Sequence, residues 1–115
     1  MDTQYVVKGG TGPPPRGMWS IQTFEEHGVV ITGSTAHSEP GKSIAELSVS
    51  TATGQVRVSS AERIRAAGGN IIPTRRSHIQ PYHVTVTGLS LEQLDAVFEP
   101  PIPTPAKPCS SGTSH

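Results

Sequence analysis

The residues of this 115-residue chain best suited to chemistry lie in and around Tyr82-His83-Val84-Thr85-Val86-Thr87. A period of two sends Tyr82, Val84 and Val86 to one face of a strand and His83, Thr85 and Thr87 to the other. An imidazole beside a hydroxyl can move a proton and hold an oxygen, and an unperturbed histidine titrates near ~6.5. The same alternation sets Lys8 and Arg57 opposite Val7 and Val58. If the apolar faces of these strands all meet helices, then Lys8, Arg57, His83 and Thr85 share one open side of a sheet. Such a set suits cleavage of a phosphodiester such as RNA without a metal. His83 would carry the proton, Arg57 and Lys8 would stabilise the pentacoordinate phosphate, and Thr85 would bond a phosphate oxygen. The plain alternative is a solvated sheet face with an exposed histidine.

Arg75-Arg76-Ser77-His78 is a second basic feature. In a loop between strands, Arg75, Arg76 and His78 would grip a nucleic-acid backbone, or form a solvated hairpin tip. Formal charge is zero overall, with nine basic and nine acidic residues, yet Arg57, Arg63, Arg65, Arg75 and Arg76 crowd a segment whose one acid is Glu62. A local basic surface is therefore compatible with neutrality. Ala36 to Ser43 matches a relaxed phosphate-binding loop, but Pro40 removes an N–H where the cradle needs donors. A turn followed by a helix cap is the better reading. The histidines lack zinc spacing, and the lone Cys109 permits neither an internal disulfide nor a cysteine cluster. No cofactor is expected.

Five strand-like runs would position these groups: Tyr5 to Lys8, Val29 to Thr32, Gln55 to Val58, Asn70 to Ile72, and Tyr82 to Thr87. Gly33 reads as the end of the second, followed by a polar loop from Ser34 to Lys42 that contains His37. Ser43 with Glu46, Ser59 with Glu62, and Ser90 with Gln93 are capping-box pairs for three short helices. Leu91, Leu94, Val97 and Phe98 give the last an apolar stripe. The expected fold class is α+β, a small mostly antiparallel sheet with two or three helices on one face.

Hydrophobic residues make up 33% of the chain, with 12 Gly and 11 Pro, so the core is small. Residues 1–99 read as one domain and residues 100–115, rich in Pro and Ser, as an extended or disordered tail. No run approaches the ~18 apolar residues of a membrane span, and the N-terminus lacks a signal-peptide pattern.

Several short stretches resemble C-terminal toxin domains of bacterial polymorphic toxins of the Rhs and contact-dependent inhibition types. They are Val7-Lys8-Gly9-Gly10-Thr11, Pro40-Gly41-Lys42-Ser43, Gly54-Gln55-Val56, Arg65 to Asn70, and Pro81 to Thr85 with Gly88-Leu89. The closing helix and Pro-rich end also fit, and the likeness spans about residues 5–105. Such domains are commonly metal-independent ribonucleases of the barnase, EndoU and RelE-like group. The resemblance implies an RNA or tRNA substrate, secretion or delivery into a target bacterial cell, and a cognate immunity protein. It carries over to His83, Thr85 and Lys8. A barnase-like enzyme also needs a carboxylate base, for which Glu25, Glu26 and Glu39 are available. Tyr5 to Gly10 also resembles the first strand of ADP-ribosyltransferases that use NAD, with Lys8 at the basic position. A non-catalytic protein-interaction domain is the third reading.

Overall fold

The computed structural model describes residues 3–10, 22–26, 28–49, 54–74 and 81–105. In chain order the elements are β1 (Tyr5–Gly10), β2 (Gln22–Glu26), β3 (Val29–Ser38), α1 (Ile44–Ser48), β4 (Gln55–Ser60), α2 (Ala61–Ala66), β5 (Asn70–Pro73), β6 (His83–Thr87), α3 (Leu91–Val97) and β7 (Ile102–Pro103). The strands form one antiparallel sheet in the order β5-β6-β3-β1-β4-β7, with β2 paired to the first half of β3. The α+β class is as the alternation and caps imply, with seven strands rather than about five.

The sheet is covered on both faces. Val6 joins Ala36, Val84 and Val86 under α2 and α3, where Ile64, Leu94 and Phe98 complete the larger core. Its neighbour Val7 points the other way and packs with Val56 and Leu47 of α1. Adjacent strand residues must face opposite sides, so one valine pair serves two cores. The expectation of helices on one face is corrected by this second cluster. As a consequence, Val7 and Val84 lie on opposite faces, and residues chosen for alternating with valine do not share a side.

Ser43 and Ser90 form full capping boxes with Glu46 and Gln93. Ser43 is thereby committed to capping α1, and Ala36 to Ser38 are strand. The cap of α2 is Ser60, not Ser59. Ser60 accepts from Arg63 N, while Ser59 Oγ donates to Val97 O at 2.7 Å. The exposed Leu91 falls outside the apolar stripe that Leu94, Val97 and Phe98 form.

Gly33 does not end β3. A Cβ built there would lie 2.1 Å from Val86 O, so glycine is what lets β3 and β6 approach. The ten-residue strand continues to Ser38 and carries His37 within it.

The tail expected from residue 100 is corrected in its first part. Ile102 and Pro103 pair with Val56 and Gln55, and Thr104 N donates to Gly54 O at 3.1 Å. Prolines 101, 103 and 105 alternate with Ile102 and Thr104, so every missing N–H falls on the same, outer edge. Proline suits an edge strand in this way and blocks further pairing. Residues 106–115 lie outside the described residues.

Candidate functional site

Arg57 serves the fold. It is 4% exposed, and its Nε donates to Glu99 O at 2.7 Å. Nη2 donates to Phe98 O at 2.8 Å and Asp95 O at 3.0 Å, and Nη1 pairs with the Asp95 carboxylate. The last carbonyls of a helix need partners, and α3 has no basic residue in its own last turn. Arg57 and Ser59, projecting from β4, supply them. The anticipated phosphate contact through Arg57 is therefore corrected: the guanidinium lies on the α3 face, across the sheet from His83.

His83 is held firmly. Its Nδ1 lies 2.8 Å from Thr74 O, and a carbonyl only accepts, so Nδ1 carries the hydrogen. The same nitrogen is 2.9 Å from Thr74 Oγ1, which is 2.9 Å from Thr85 Oγ1. Thr85 is fully buried. It supports the imidazole through Thr74, which corrects the role of phosphate ligand.

Lys8 stands opposite Arg57 in register, yet its Nζ reaches Thr35 Oγ1 at 3.2 Å. It approaches His37, which pairs directly with His83 across β3 and β6. The two rings meet edge to face with centroids 6.0 Å apart. His37 is held neutral, its pKa lowered to about 4 by burial first and then by the charges of His83 and Lys8. Burial also lowers the Lys8 pKa. Among the described residues His37 Nδ1 has no hydrogen-bond partner.

Beside this cluster a cavity of about 330 Å³ opens where β3 and β5 end and β6 begins. Gln4, Glu39, Arg65, Tyr82 and His83 line it, with Pro40, Pro73 and Pro81 at its walls. His83 keeps 8% exposure. Residues bearing an imidazole, a carboxylate and a guanidinium thus line one space of a size to admit a small substrate group. No three His, Cys, Asp or Glu side chains gather as a metal site among the described residues.

The structure therefore joins Thr85 to His83 through Thr74, sets Lys8 on Thr35 near His37, separates Arg57 from His83, and adds His37, Thr74, Glu39 and Arg65. Of the three acids considered as base, Glu39 lines the cavity. Arg75, Arg76 and His78 lie outside the described residues. The alternation of Ser34, Ala36 and Ser38 with Thr35 and His37 was the signal for His37: small residues toward a core, functional ones away from it. Among the described residues no helix is long and apolar enough to cross a membrane. Comparison with known proteins finds no matching family model, no matching curated protein and no matching solved structure.

Proposed function

We propose that this chain is a polymorphic-toxin effector domain that cleaves RNA or tRNA without a metal ion. The observation that carries the reading is the cavity shared by His83, Glu39 and Arg65. RNA cleavage of this type needs a base, an acid and a cation around one phosphorus. Glu39 takes the proton of the ribose 2′-hydroxyl, and the 2′-oxygen bonds phosphorus as the bond to the 5′-oxygen breaks. His83 Nε2 gives the leaving oxygen its proton, and Arg65 balances charge on the pentacoordinate phosphate. The products are a 2′,3′-cyclic phosphate and a free 5′-hydroxyl. Thr74 and Thr85 act as positioning residues for the imidazole. A toxin of this kind is secreted or delivered into a target cell, and a cognate immunity protein would neutralise it by covering the cavity.

A second reading, a non-catalytic interaction domain, is favoured by the commitment of Arg57 to α3 and by the low exposure of His83. Incubation of total RNA and of tRNA with the chain in chelator separates the two. Cleavage that drops roughly 100-fold or more in Glu39→Gln supports the enzyme. Intact RNA favours the docking role, and intact RNA with NAD consumed points to an ADP-ribosyltransferase.

A further inference from the structure

We propose that Lys8, Thr35 and His37 form an oxyanion-binding subsite beside His83, and that its ligand is a phosphate-type anion. Lys8 Nζ donates to Thr35 Oγ1, so the hydroxyl's own hydrogen is left to point onward as a donor. His37 adds a ring nitrogen that is more than nine-tenths buried and has no partner among the described residues. Buried polar atoms are almost always satisfied, so this one marks a place for a ligand atom. Among the described residues no carboxylate pairs with Lys8 or His37; the ion pairs there are Arg57–Asp95 and Arg63–Glu99. The Lys8 ammonium works against charging His37, and an anion held between them favours the charged form of both. Three donors on three different side chains suit a tetrahedral oxyanion better than a planar two-oxygen carboxylate.

The subsite rests on the proposed cleavage only for the source of its anion, the phosphodiester of a substrate rather than free phosphate. Inorganic phosphate, and separately a DNA trinucleotide whose phosphodiesters lack the 2′-hydroxyl, are titrated into the full chain while imidazole nitrogen resonances are followed by NMR. Saturable shifts of His37 are expected, with its titration midpoint rising from about 4 toward the ordinary histidine value. Lys8→Met is expected to weaken binding about tenfold. Shifts with the trinucleotide assign the subsite to a nucleic-acid backbone, whereas shifts with inorganic phosphate alone leave a free-anion site. His37 resonances that stay still in the unmodified chain overturn the proposal, as does equal binding by a folded Lys8→Met. RNA left uncut while His37 responds removes the cleavage reading and keeps the subsite; RNA cut while His37 stays silent does the reverse.

Discussion

His37 and His83 face each other across β3 and β6 in direct register, ring planes at 88° and centroids 6.0 Å apart. Burial first, and then the charges of His83 and Lys8, hold the His37 pKa well below the ordinary histidine value.

Stability should consequently depend on His37 below neutrality. Above ~6.5 the residue is neutral in both folded and unfolded chains. Between that value and about 4 the unfolded chain alone takes up the proton, so stability falls as pH falls. The loss from this residue is roughly 3 kcal/mol once pH is below both values. Urea unfolding at pH 7 and pH 4 should show a correspondingly smaller drop for His37→Gln than for the unmodified chain.

Lys8→Met should stabilise the fold at neutral pH, by about 1 kcal/mol, because an ammonium leaves a partly buried site that holds no carboxylate among the described residues. Thermal unfolding at low phosphate measures it. A lower melting temperature would mean that the bond to Thr35 outweighs desolvation.

Arg57→Leu should destabilise by about 3 kcal/mol, since three carbonyls around the end of α3 and the Asp95 carboxylate lose their donor. Arg57→Lys should recover little of this, because one ammonium cannot reproduce the fork. Denaturant midpoints for both variants test the assignment of Arg57 to the fold.

Gly33→Ala should cost about 1–3 kcal/mol or more, because the new methyl meets Val86 backbone and one strand must move. Hydrogen exchange should show faster opening of β6 than of β4.

Much of the fold is legible locally. Ser43 and Ser90 announce α1 and α3 because the partners of their caps lie three residues away. Ser59 and Ser60 could each cap α2, and the choice depends on the β1–β4 register, where Ala61 N donates to Gln4 O at 2.8 Å. His83 and Thr85 are readable from strict alternation. What alternation cannot reveal is which face of each strand meets which helix, so Arg57 reads like a partner of His83 and is a partner of α3. Gly33 looks like a terminator because its real reason, the approach of Val86, lies over fifty residues away. That hides His37 in an apparent loop. Arg65 joins the cavity through the packing of α2 beside β5, and Glu39 through the extension of β3 to Ser38, relations with no local signature.

We propose that Glu39 and His83 act as base and acid on an RNA phosphodiester. An end-labelled RNA incubated with the chain in chelator, with product termini identified by mass spectrometry, tests it most directly. Fragments ending in 2′,3′-cyclic phosphate are expected, with single-turnover rates falling roughly 100-fold or more in a folded His83→Asn. Uncut RNA, or cutting at an unchanged rate by that variant, would contradict it.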